Sequence, residues 1–138
     1  MSHRRWVVAI AVFAMAAATS GCESSPSPDG WCVPRILVTP LVASPGEMIT
    51  LTSDTKCDAP RPRDGWVVSA APVGDGHEPL VSVTSQDEFD GDFTATLVLP
   101  TDFPLGEAAA GIDNWDYSDC VDTNASCASP TGGFTVER

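Results

Sequence analysis

The sequence has little positive charge. Lysine occurs once, at Lys56, and the 138 residues carry 7 Lys and Arg against 19 Asp and Glu, which gives a formal net charge of −12. An acidic surface of this kind repels nucleic acid phosphates and anionic lipid headgroups. We therefore expect no nucleic acid partner and no peripheral binding to anionic membranes.

Catalytic and metal-binding motifs are also scarce. The sequence has two histidines, and the second, His77, lies in a turn-like stretch, Gly74–His77. There is no G-x-S-x-G motif to hold a nucleophilic serine and no C-x-x-C pair of the kind that binds zinc. The sequence thus predicts no enzyme, no cofactor and no metal. A small envelope hydrolase is the less favoured alternative.

No apolar run in the sequence reaches the roughly 20 residues that are needed to span a bilayer. The longest run, Trp6–Ala18, has thirteen residues. It follows Arg4 and Arg5 and is followed by small residues, an order that is typical of a secretory signal. The sequence therefore predicts that the chain is exported.

The small residues end in Gly21 and Cys22, and together they resemble the lipobox of bacterial lipoproteins. In that family the signal is removed before a cysteine whose thiol receives a diacylglyceryl group, and two acyl chains hold a protein firmly to a membrane. The resemblance implies a signal peptide over residues 1–21, lipid on Cys22, a flexible Ser/Pro tether over 22–31 and a place on the extracytoplasmic face of the cell membrane. Ordinary secretion after cleavage near Ala18 is the alternative.

Beyond residue 31, short segments alternate between apolar and polar residues and are separated by Pro, Gly and Asp, which is typical of half-buried strands. No stretch there shows a sustained period of 3.6 residues. The seven predicted strands are Arg35–Thr39, Glu47–Ser53, Gly65–Ala71, Pro79–Ser85, Phe93–Leu99, Glu107–Asn114 and Gly133–Glu137. Seven short strands joined by turns predict one all-β sandwich domain over residues 32–138.

Four cysteines besides Cys22 remain after the signal is removed, and an even number in an oxidising compartment predicts two disulfides. If the first two strands form a hairpin, its centre lies between residues 44 and 45, and Cys32 and Cys57 are equidistant from it. Nearest-neighbour pairing then gives Cys32–Cys57 and Cys120–Cys127, the second closing the excursion between the last two strands, which we also expect to pair. Sequence alone allows three connectivities.

Several turn and strand motifs of this region resemble those of immunoglobulin-like domains in secreted actinobacterial proteins. The matching segments are Val38–Pro40, Ser44–Glu47, Ile49–Thr52, Gly91–Pro100 and Pro104–Glu107. The resemblance implies an immunoglobulin-like antiparallel β-sandwich of about seven strands. It implies no function, because this architecture serves many roles.

Two acidic clusters and one aromatic pair are the candidate binding residues. The first cluster, Asp87–Asp92, lies in a predicted hairpin turn. The second consists of Asp113, Asp116, Asp119 and Asp122. Carboxylates at loop tips can bind calcium, but neither cluster has EF-hand spacing, so a calcium-stabilised structural module is an alternative only.

The excursion over residues 113–130 also carries Trp115 and Tyr117. Long loops are often functional and aromatic residues are enriched at recognition surfaces, so Trp115 and Tyr117 are the predicted binding residues. The alternative is that Trp115 packs over the end of the sandwich. The sequence as a whole predicts a non-catalytic, lipid-anchored envelope protein that binds or scaffolds an envelope protein or ligand.

Overall fold

In the part of the chain that the structure describes, the alternating segments form eight β-strands. The computed structural model describes residues 32–74, 78–118 and 127–138, and these residues contain no helix. The strands are β1 (Leu37–Thr39), β2 (Val42–Ala43), β3 (Met48–Ser53), β4 (Trp66–Pro72), β5 (Val81–Ser85), β6 (Phe93–Val98), β7 (Gly106–Ile112) and β8 (Thr131–Val136). No helix that could span a membrane occurs in the described parts of the chain.

The strands form two sheets, one of three strands in the order β1-β3-β6 and one of five in the order β2-β8-β7-β4-β5. The predicted all-β sandwich is confirmed. The described residues form eight strands rather than seven because the chain crosses to the second sheet at Pro40 and adds β2 there. β2 pairs with β8 in parallel, so one pair departs from the predicted antiparallel arrangement.

Alternation along the strands builds the core between the two sheets. In β6, Phe93, Ala95 and Leu97 are buried while the residues between them are exposed. Successive strand side chains point to opposite faces, so one face of each sheet turns inward. The fully buried side chains of largest volume include Trp66, Phe93, Ile49, Leu51, Leu97, Leu99 and Val68.

The structure contains both strand pairings that were predicted together with the disulfides, the pairing of β1 with β3 and the pairing of β7 with β8. β1 pairs with β3 with Leu37 opposite Thr52, so the pairing is centred between residues 44 and 45 as the sequence predicts. Beyond the strands, Cys32 and Cys57 form a disulfide with their Cα atoms 5.6 Å apart. β7 pairs with β8 in antiparallel fashion.

The predicted hairpin around Asp87–Asp92 is wrong. β5 pairs with β4 in the larger sheet, whereas β6 pairs with β3 in the smaller one. The segment between β5 and β6 therefore links the two sheets, and Phe89 at its centre is buried. The Phe89 ring stacks on Phe93 with centroids 4.2 Å apart and lies edge-on to Trp66 at 5.4 Å. This apolar contact draws the link inward and prevents a hairpin.

Close packing between β8 and the start of β1 depends on Gly132. A Cβ atom at this position would lie 2.7 Å from the carbonyl oxygen of Ile36, well inside normal contact. A larger residue would therefore push β8 away from the segment that leads into β1.

Candidate functional site

Trp115, one of the two predicted binding residues, lies in the core. Its side chain is 6% exposed, stacks on Trp66 with ring centroids 5.2 Å apart and meets Phe89 edge-on at 5.4 Å. The structure therefore adopts the alternative in which Trp115 packs over the end of the sandwich, because two other aromatic rings offer it an apolar site. A partner cannot reach this ring without displacing it.

The residue before Trp115 fixes this arrangement. The backbone N–H of Val67 donates to Asn114 Oδ1 at 2.7 Å, and Asn114 Nδ2 donates to the carbonyl oxygen of Gly65 at 3.0 Å. These two bonds join the end of β7 to the start of β4. They place Trp115 directly over Trp66.

Tyr117, the second predicted binding residue, is at the surface with 37% of its side chain exposed. Its hydroxyl lies 2.9 Å from Ser129 Oγ and bonds to it across the excursion. The structure thus separates the predicted pair, with Trp115 inside and Tyr117 outside. They do not form one aromatic surface.

Several carboxylates of the two acidic clusters accept hydrogen bonds from nearby residues. In the first cluster, Asp87 Oδ2 accepts from the backbone N–H of Thr94 at 2.8 Å. Asp113 Oδ1 accepts from the Ser69 hydroxyl at 2.6 Å. The backbone N–H of Ser118 donates to Asp116 at 2.8 Å, and this bond, helped by the Ser118 hydroxyl, lowers the pKa of the Asp116 carboxyl. Within the described residues, no three His, Cys, Asp or Glu side chains are grouped so that they could hold a metal ion.

Several predicted features lie outside the described residues. They are the signal over residues 1–21, the tether over 22–31 with Cys22, His77, Cys120, Asp119 and Asp122. Cys127 is described and is disulfide-bonded, but its predicted partner Cys120 is not described.

The sandwich has two chemically different ends. The disulfide end contains Cys32–Cys57, the link over residues 86–92 and the start of the excursion after β7. The far end contains the turn over residues 44–47, the residues just after β4 and the connection over residues 99–105. Backbone bonds fix the far end, where Gly46 N donates to Pro100 O at 3.2 Å.

Carboxylates concentrate at the disulfide end and exposed apolar side chains at the far end. Of the described acidic residues, nine lie at the disulfide end: Asp54, Asp58, Asp64, Asp87, Glu88, Asp90, Asp92, Asp113 and Asp116. Most of the large exposed apolar side chains lie at the far end: Leu41, Val42, Met48, Val73, Leu80, Val98 and Leu105. Contiguous exposed apolar groups are typical of an interaction surface, and of these seven residues Leu41, Val42 and Val73 line a common groove.

Part of the far end is an open groove of about 550 Å³ on the outward face of the larger sheet. Its rim consists of Leu41 and Val42 on one side and Val73 on the other, whose side chains are 69%, 53% and 58% exposed. The floor is formed by β7 and β8, where Gly133 contributes no side chain. The carboxylate of Glu107 also lines the groove. Glu107 therefore adds one negative charge to the lining of the groove.

Sequence reasoning missed this groove. Its rim comes from two segments that look like ordinary turn or strand ends, Leu41–Val42 and the residues around Val73. Only the pairing of β2, β8, β7 and β4 brings them together. A usable sign is Gly133, because a glycine inside a strand leaves the sheet without a side chain at that point and can mark the approach of a ligand.

No protein-family model, curated protein or solved structure matches this chain. The fold itself places the chain in the class of all-β, two-sheet sandwich domains.

Proposed function

We propose that this chain is a non-catalytic binding module of the cell envelope, held to the membrane by lipid on Cys22 and binding a partner protein at its far end. The observation that carries the proposal is the groove between Leu41 and Val73 on the outward face of the larger sheet, in the half of the sandwich away from Cys32. The tether would join the domain at Cys32. An anchored domain would therefore hold its acidic end toward the membrane.

The length of the tether supports this arrangement. Ten residues, 22–31, span at most about 36 Å when fully extended. The disulfide end would then stay close to the membrane surface, where its carboxylates meet anionic headgroups unfavourably. The domain would stand off from the surface, and the groove would remain open to proteins of the envelope.

The lining of the groove indicates the chemistry of its ligand. Burying an aliphatic side chain fully contributes about 1.5–3 kcal/mol, so covering Leu41, Val42 and Val73 would supply the main attraction. Glu107 would favour a positively charged group at the side of the ligand. The proposed ligand is therefore an apolar segment of a protein that carries at least one basic residue.

Filling the groove is expected to abolish partner binding without loss of stability. In Gly133→Val, the added Cβ would have only the carbonyl oxygen of Ala108 within 4 Å, at 3.9 Å, so the side chain fits without strain. Valine also suits a strand better than glycine. A photoreactive amino acid at Leu41 should form a discrete cross-link to an envelope protein in the wild-type background, and Gly133→Val should remove it.

The matched control places the same photoreactive group at Thr96, an exposed position on the outward face of the smaller sheet. That position should yield no such product. Equal cross-linking from Leu41 and Thr96, or a product that survives Gly133→Val in a folded protein, would contradict the role of the groove.

A further inference from the structure

The exposed edges of the two sheets are protected unequally. On one side of the sandwich the edges are β1, with three residues between Pro34 and Pro40, and β2, with two. On the other side the edges are β5 and β6, with five and six residues. Short strands and prolines block further strand pairing, whereas long uncharged edges invite it.

On the open edge of β6 a side chain already occupies one main-chain donor, whereas no described side chain does so on β5. The backbone N–H of Thr94, on the open side of β6, donates to Asp87 Oδ2 at 2.8 Å. The Asp87 side chain therefore occupies a donor that an added strand would need. Within the described residues, β5 pairs only with β4, and Val81–Ser85 contains no proline, glycine or charged residue.

The side chains of β5 show that the sandwich is incompletely covered here. Val83 lies opposite Val68, which is fully buried, yet Val83 is 36% exposed. Among the described residues the smaller sheet ends at β6, so no further strand of that sheet lies beyond β6 to cover Val83 fully. A strand added beside β5 would cover the exposed part of Val83 as well as pair with the main chain.

We propose that the open edge of β5 binds an extended basic segment of another protein by strand addition. Main-chain N–H and C=O groups along an edge are matched only by another extended polypeptide, which then adds a strand to the sheet. This inference goes beyond the groove at the far end and depends neither on that groove nor on the lipid anchor.

Charge at both ends of β5 defines the sequence of the ligand. Glu78 lies just before the strand, and Asp87 and Glu88 lie just after it; all three are exposed. Arg61 lies 3.9 Å from Glu88 and offsets one of the two negative charges after the strand, which leaves one negative charge at each end of β5. A fitting segment therefore has four to six uncharged, β-branched residues with lysine or arginine on both sides. The formal charge of −12 over the whole chain favours a basic partner in the same way.

The same carboxylates disfavour pairing of β5 with a second copy of the chain. A symmetric antiparallel pair centred on Val83 would place Glu78 of one copy opposite Glu88 of the other, twice. Like charges directly opposite each other in a sheet are destabilising. The structure thus favours a different, basic polypeptide as the occupant.

The test uses the purified full-length protein in detergent and a fluorescent peptide, Lys-Arg-Val-Thr-Val-Thr-Val-Arg-Lys. We expect saturable binding by fluorescence anisotropy, and slower amide hydrogen exchange at residues 81–85 but not at residues 93–98. Methylating alternate backbone nitrogens of the peptide keeps its charges and side chains but removes pairing donors. It should weaken binding by at least about tenfold.

Paired charge variants complete the test. Glu78→Gln with Glu88→Gln should weaken peptide binding several-fold, whereas Asp102→Asn with Glu137→Gln, which removes two charges away from β5, should not. Absence of binding, equal binding of the methylated peptide, or protection outside residues 81–85 would overturn the proposal. A concentration-dependent dimer with β5 protected in the absence of peptide would overturn it in favour of self-pairing.

Discussion

Replacement of Trp115 by alanine is expected to lower the free energy of unfolding by about 3–5 kcal/mol, the usual cost of deleting a buried aromatic side chain. Trp115 is 6% exposed and stacks on Trp66, so its removal opens a cavity beside Trp66 and Phe89. Urea unfolding followed by far-ultraviolet circular dichroism measures the change independently of tryptophan fluorescence.

Two further variants separate packing from surface contacts. Trp115→Phe should cost less than Trp115→Ala, because a ring remains and because the lost indole N–H has no hydrogen-bond acceptor among the described residues. Tyr117→Phe removes a hydroxyl bond at the surface and should cost no more than about 1 kcal/mol. If Trp115→Ala were as stable as the wild type, the ring would lie outside the core and its predicted role in binding would return.

Loss of the Cys32–Cys57 disulfide is the second large expected effect. The two cysteines are 25 residues apart in the sequence, and closing a loop of that length restricts the unfolded chain by about 3.5 kcal/mol. For a domain of this size the corresponding fall in melting temperature is about 15 °C. Differential scanning calorimetry of Cys32→Ala with Cys57→Ala measures both quantities.

The control for this double variant is a second double variant that lacks the other two cysteines of the predicted disulfides. Cys120→Ala with Cys127→Ala leaves the β1–β3 hairpin closed, so the two double variants report on separate loops. A melting temperature unchanged by loss of Cys32 and Cys57 would show that the hairpin is already closed in the unfolded ensemble, contrary to the entropic account.

Local alternation predicted the strands because it depends on neighbouring residues alone. Ile49 and Leu51 in β3, and Phe93, Ala95 and Leu97 in β6, point inward at every second position and are buried. β2 could not be predicted in this way. Its two residues show no period, and only parallel pairing with β8 makes them a strand.

The environment of Trp115 and the link over residues 86–92 depend on contacts between distant parts of the chain. The local sequence, a tryptophan among acidic residues, is compatible both with an exposed loop and with a side chain packed into the core. Trp115 is buried because Trp66, in β4, provides an aromatic ring on which it stacks. Phe89 likewise leaves the predicted hairpin because Phe93 and Trp66 give it an apolar site.

The candidate binding surfaces were the least predictable features. The groove needs Leu41 and Val42, beside β2, to face Val73, just after β4, across β8 and β7. The open edge of β5 depends on which strands have no second neighbour. Both follow from the order of strands in the larger sheet. The charge, by contrast, can be read directly from the sequence, and the expectation that nucleic acid is not a partner comes from it alone.

The intact mass of the protein from a membrane fraction, measured before and after reduction, tests the proposed anchored module most directly. The account predicts the mass of residues 22–138 plus a diacylglyceryl group, four hydrogens lighter before reduction because two disulfides are present. A lipid-free mass that begins at another residue would contradict the anchor and describe a freely secreted domain.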